Sequence, residues 1–287
     1  MKLGKKFASL LSAILLISTL CIQSASAINL NLPAGLPPDA YPTMPSSSQL
    51  TPSSLNDYAI RQIKGSLNFK QQCGGFYYAY GPMSNAYQST YANILLPTGL
   101  NRANNTRNAY ISMGIIGSDH SMDLGICNRG NGWVPYYYEK GSDFVEEGSI
   151  YSAPSTAVSA QITVKPINTT TVQLYVQWKD ANDNNVGVTY NNQIGVRAGN
   201  LKMVNGKIQC RFFRFASLVN SISQDNQGDG SYMTGGMFRY CQLYNGSNYV
   251  SWGIGSSTVT DCFLTSPSHM TLSYSGQNDT FNIRHNG

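Results

Sequence analysis

Tyrosine, glutamine and arginine recur on two stretches of this 287-residue chain at a spacing that suits recognition of hydroxyl-rich ligands. Across residues 171–178, Gln173, Tyr175 and Gln177 fall on one side of a period-two pattern and Val172, Leu174, Val176 and Trp178 on the other. That pattern predicts a strand with one core face and one wet face. Across residues 237–244, Phe238, Tyr240, Gln242 and Tyr244 share a side opposite Met237, Cys241 and Leu243, and Arg239 interrupts the apolar side, where a rim position is expected. Aromatic faces stack on the C–H faces of sugar rings and amides bond the hydroxyls. Tyr175, Gln177, Arg239, Tyr240, Gln242 and Tyr244 are therefore the candidate carbohydrate-binding residues, although the same types also suit an ordinary solvent-facing strand.

Enzyme chemistry finds fewer parts. There is no GxSxG elbow, HExxH, Walker-type loop or GxGxxG in the chain. Glycoside hydrolysis needs two carboxyl groups flanking the scissile bond, and the three glutamates, Glu139, Glu146 and Glu147, cluster in one loop-like stretch. A polysaccharide lyase needs a neutraliser for the uronate carboxylate and a Tyr or His to move protons. Arg239, the tyrosines and the glutamines supply those types, with His120, His269 and His285 the only histidines. A lyase is thus the better enzyme alternative to plain glycan binding, with no catalytic set assigned.

No metal site or cofactor is implied beyond structural Ca²⁺ at two oxygen-rich turns, residues 180–185 and 225–230. Neither completes an EF-hand, and Asn/Asp/Gly turn chemistry explains both. Asp119 and His120 with Asp123 read as a polar rim cluster rather than a metal site.

The elements that position these residues follow from the rest of the chain. Residues 1–27 read as a secretory signal peptide: Lys2, Lys5 and Lys6, then an apolar run to Ile22, then Ala25-Ser26-Ala27. Leu20 before Cys21 departs from the small residue of a lipidation site. Cleavage after Ala27 predicts a secreted product of 260 residues, and loss of three lysines lowers the formal charge from +5 to +2. So small a charge gives no argument for nucleic acid or an anionic membrane, and no later run is long enough for a membrane span. Five cysteines remain, Cys73, Cys127, Cys210, Cys241 and Cys262. They allow at most two disulfides, or act as buried small apolar residues.

Residues 28–56 carry half of the twelve prolines and a triple serine, and read as a linker or arm. A short helix is predicted near residues 54–63 and a single β domain over 57–287. Turn chemistry at Arg129–Gly132, Asp180–Asn185, Asn205-Gly206, Asn245–Asn248 and Gly276–Asp279 predicts five hairpins. With no long amphipathic helix between them, the fold class is all-β, an antiparallel β-sandwich with at most one or two short helices.

Ser121-Met122-Asp123-Leu124-Gly125-Ile126, Trp133-Val134-Pro135-Tyr136, Arg214-Phe215 and Ser251-Trp252-Gly253 resemble the concanavalin A-like jelly-roll sandwich. With Gly81-Pro82-Met83 upstream, the same segments are similar to the YrpD family of secreted bacterial proteins. The resemblance implies secretion and this sandwich fold, and it carries over no catalytic residue; the partner expected from the Tyr/Gln faces is a polysaccharide or cell-wall glycan. The strand strings of sandwich glucanases and alginate lyases do not occur.

Overall fold

The computed structural model describes residues 75–284 apart from 103–106, 118–120, 140–143, 198–199, 221–229, 255 and 265–269. The expected leader, the arm, the helix near 54–63, Cys73, Asp119, the three histidines and most of the 225–230 turn lie outside the described residues.

Two antiparallel sheets face each other. The first is built from β1 (Gly75–Tyr80), β4 (Arg107–Ile116), β5 (Ser121–Asn128), β6 (Trp133–Glu139), β7 (Phe144–Glu146), β13 (Arg211–Asn220) and β16 (Asp261–Leu264). Its order is β16-β1-β13-β4-β5-β6-β7. The second contains β2 (Ser89–Leu95), β3 (Gly99–Asn101), β8 (Ser159–Asn168), β9 (Thr171–Lys179), β10 (Asn185–Gly195), β14 (Tyr232–Tyr244), β15 (Tyr249–Ser251), β17 (Met270–Ser275) and β18 (Asn278–Arg284). Its order is β10-β9-β8-β2-β14-β18-β17, with β3 and β15 also on β14. β11 (Lys202–Val204) and β12 (Lys207–Gln209) form a separate ribbon, and a single 3₁₀ turn, Ser149–Tyr151, is the only helical element among the described residues. The all-β sandwich class holds.

Each of the five expected hairpins is present: β5–β6, β9–β10, β11–β12, β14–β15 and β17–β18 pair antiparallel. Asn205 and Gly206 both have positive φ (51° and 73°), which a two-residue primed turn requires. β12 and β13 are separated at Cys210, which forms an isolated antiparallel bridge with Ser84.

Period-two alternation sends one face of each sheet into a shared core. Ile111, Met113, Leu124 and Ile126 come from the seven-stranded sheet, and Ile94, Ile162, Val176, Trp178, Phe238 and Phe281 from the nine-stranded one, all with no exposed surface. An ion pair crosses this core. Arg214 on β13 donates from Nε to Asp279 Oδ2 on β18 at 2.7 Å, and its guanidinium lies 4.6 Å from the Trp252 ring. Both charged groups are fully buried.

Cys127, Cys210, Cys241 and Cys262 are buried free thiols, so the apolar alternative describes them and no disulfide joins them. Burial pushes Cys210, Cys241 and Cys262 up to about 12, which removes their nucleophilicity.

Candidate functional site

The face of the nine-stranded sheet turned away from the core is where polar side chains converge. Register fixes two rows across the strands, because residues directly opposite each other point to the same side. The first row runs Arg239, Asn93, Gln161, Gln177 across β14, β2, β8 and β9. The second runs Gln242, Tyr91, Thr163, Tyr175, Asn191 and extends to β10. Tyr244 follows on β14, with the Tyr249 ring of β15 at 4.9 Å.

A β-bulge aims the cation. Between Arg239 and Gln242 the β14–β2 register slips, and the extra residue, Tyr240, takes φ +55°. That conformation is strained for a bulky side chain. Its displaced N–H donates instead to Asn278 Oδ1 at 3.1 Å. The slip corrects the strict alternation expected over 237–244. Arg239 joins Gln242 and Tyr244 on the polar face, Phe238 goes into the core with Cys241 and Leu243, and Tyr240 stands at the bulge with its ring 5.9 Å from the Arg239 guanidinium.

All six sequence-predicted residues thus lie on or beside one face. That face is not wet, as expected, but buried at its centre: Tyr91 and Asn93 are 1% exposed, Gln161 0% and Gln177 2%. Gln177 is satisfied there. Its Nε2 donates to the carbonyls of Trp178 (3.0 Å) and Val186 (3.2 Å), and its Oε1 accepts from the Thr189 hydroxyl. Asn93 Oδ1 accepts from Arg239 Nη2 at 2.8 Å.

Several other polar atoms of this face find no partner among the described residues. Tyr91 OH, Asn93 Nδ2, both amide atoms of Gln161, Thr163 Oγ1, Asp183 Oδ2, Arg239 Nε and Tyr249 OH are all buried and unpaired. Each such group costs about 1–3 kcal/mol, so a patch of them marks a function rather than a packing solution. Sequence reasoning overlooked Tyr91, Asn93, Gln161, Thr163 and Asp183. A signal existed for β8, where Gln161 and Thr163 alternate with Ala160, Ile162 and Val164 as cleanly as the residues of β9 do.

Asp183 arrives from the turn between β9 and β10. Asp180 shapes that turn by accepting from the backbone N–H of Asn182 (2.9 Å) and Asn184 (2.8 Å) and from Asn184 Nδ2 (3.1 Å). These bonds hold Asp180 below the usual carboxylate range. Asp183 takes φ +65°, and Lys179 Nζ donates to its carbonyl at 3.3 Å. Desolvation pushes the Asp183 carboxyl up, against the opposing pull of Lys179 and Arg239. Among the described residues no cluster of metal-ligating side chains occurs.

The other carboxylates are engaged elsewhere. Glu139 accepts from the Arg197 N–H at 2.8 Å, Glu147 from the Tyr190 hydroxyl at 2.6 Å, and Glu146 faces Arg129 at 3.4 Å. Asp123 lies on the outward face of the seven-stranded sheet, between Gly114 and Tyr138, and burial pushes its carboxyl up to about 7.

No protein-family model and no curated protein sequence matches this chain. Among solved structures, it is similar to scytalido-glutamic peptidase with a transition state analog inhibitor, at 12% identity over 73% of this chain and 98% of that one, with a TM-score of 0.49. SCP-B, a member of the eqolisin family of peptidases in complex with the tripeptide Ala-Ile-His, gives 13% identity over the same shares and a TM-score of 0.44. The CBM2 module of a Lactobacillus casei BL23 phage J-1 evolved Dit gives 11% identity over 71% and 65%, with a TM-score of 0.30. At these values no residue role passes from those proteins to this chain. No helix among the described residues is long and apolar enough to cross a membrane.

Proposed function

We propose that this chain is a secreted β-sandwich protein that binds a polysaccharide or cell-wall glycan on the polar face of its nine-stranded sheet, without catalysis. The observation that carries this reading is the composition of the unpaired set. Asn93 Nδ2, Gln161 Nε2 and Arg239 Nε can only donate, Gln161 Oε1 and Asp183 Oδ2 can only accept, and the hydroxyls of Tyr91, Thr163 and Tyr249 can do either. A ligand that satisfies such a mixture must itself donate and accept at closely spaced points, as the hydroxyls of a sugar chain do. Tyr175 on β9 and the Tyr244–Tyr249 pair at the β15 end offer rings for stacking. The leader-like first 27 residues support an extracellular setting for such a partner.

Catalysis finds less support on the same face. A lyase needs a tyrosine that can release its proton, and burial, reinforced by Asp183, pushes Tyr91 well above the ordinary phenol range. A glycosidase needs two carboxyls, and Asp183 is the one that reaches this face among the described residues.

The test is retention of the full chain on insoluble polysaccharides and glycan arrays. Wild type is expected to be retained, and Gln161→Leu and Tyr244→Ala to lose at least about tenfold in affinity. An empty array, or retention indifferent to both substitutions, contradicts the reading.

A further inference from the structure

β10 is an outermost strand of the nine-stranded sheet, paired with β9 and with no other strand among the described residues. Its free side presents backbone N–H and C=O groups, a template for one more strand. Natural sheets protect such edges with short strands, charges, prolines or a covering element. The other edges follow that rule: β7 has three residues and ends in Glu146, β16 has four and starts at Asp261, and β17 lies against β1 of the facing sheet. β10 does not. Asn185–Gly195 runs for eleven residues without an Asp, Glu, Lys, Arg or Pro.

The first half of this edge is bulged, because the register against β9 slips between Val186 and Tyr190. From Tyr190 to Gly195 the pairing is uninterrupted, with Tyr190 opposite Val176 and Gly195 opposite Thr171. Asn191, Asn192 and Gln193 are all exposed within that run. Successive side chains point to opposite faces of a sheet, so the edge is open on both. Amides such as those of Asn192 and Gln193 both donate and accept. The strand is therefore complementary to itself, whereas a charged strand would repel its own copy.

We infer that the β10 edge is an interface with a second copy of this chain, Tyr190–Gly195 pairing antiparallel with the same run of that copy about a two-fold axis. Such an axis stands perpendicular to the sheet, so the two nine-stranded sheets join edge to edge with both polar faces on one side. The second polar row, which ends at Asn191, then continues across the junction. Cross-strand partners share a face, so the axis passes through a residue, and Asn192 and Gln193 are the middle of the run. One strand a side is less than the ~20–30 residues of a stable interface. The pairing is accordingly reversible, with Kd on the order of 1–100 μM.

Sedimentation velocity of the full chain over a concentration series tests this. Wild type is expected to pass from the mass of one chain to that of two. Chains carrying Asn192→Lys with Gln193→Lys, or Asn192→Glu with Gln193→Glu, place like charges against each other in either register. Each is expected to associate at least about tenfold more weakly than wild type in low salt. An equimolar mixture of the two is expected to recover the dimer, which shows that both are folded, and to lose that recovery at about 1 M salt, where charges are screened within ~3 Å. Wild type that keeps the mass of one chain up to about 1 mM overturns the inference. So do dimers that both substituted chains still form, or a mixture that recovers no association.

Discussion

Gln161 is a residue whose burial works against stability. Both ends of its amide are buried without a partner in the middle of a sheet face. Replacement by leucine removes two unsatisfied groups at similar volume, and Gln161→Leu is expected to stabilise the protein by about 1–3 kcal/mol in urea denaturation. Tyr240 carries a second cost, a left-handed backbone at a bulky residue. Tyr240→Val is expected to destabilise by about 1–2 kcal/mol, because a β-branched residue tolerates that backbone least, whereas Tyr240→Gly is expected to cost nothing measurable in the same assay. Asp123 governs a pH effect. Its carboxyl is raised from the ordinary range to about 7 in the folded chain, so the folded state holds a proton that the unfolded chain releases. Stability from this group is complete below about pH 4 and is lost as pH rises towards 7. Denaturation of Asp123→Asn across that range checks this: the variant is expected to match wild type near pH 4 and to exceed it at pH 8.

At the scale of elements, what the sequence made legible was whatever depends on neighbours along the chain. Asn205-Gly206 specifies its turn by its own backbone preferences, and the β9 alternation assigns Val172 and Trp178 to the core without reference to any other strand. The β14 bulge was hidden because it depends on Asn278, thirty-eight residues away, accepting the displaced N–H of Tyr240. Assembly of the polar face was hidden for a similar reason, since it needs the register of four strands far apart in sequence. Six binding candidates were placed together, and the unpaired centre between them was not. The Trp252 loop is another element fixed from a distance. A Cβ on Gly253 would stand 1.6 Å from the Gly276 carbonyl oxygen, so two backbones meet where a side chain has no room. Gly253→Ala is expected to destabilise by about 1–3 kcal/mol or more, and thermal denaturation that shows no loss contradicts this close approach.

For the whole molecule, the two sheets are joined by apolar packing and by a charged link, Arg214 to Asp279, beside the Trp252 ring. Arg214→Met leaves a buried carboxylate uncompensated and is expected to cost about 3–5 kcal/mol, while Arg214→Met with Asp279→Leu recovers most of that loss in the same denaturation series. Such a frame holds the nine-stranded sheet in place while its outer face keeps polar atoms that the protein does not pair. Those atoms, on the proposed function, are kept for a sugar chain. Calorimetric titration of a neutral oligosaccharide into wild type and Gln161→Leu, alongside their melting temperatures, decides between function and packing. The variant is expected to melt higher and to bind at least about tenfold more weakly; a variant that melts higher and binds as wild type does overturns the proposal.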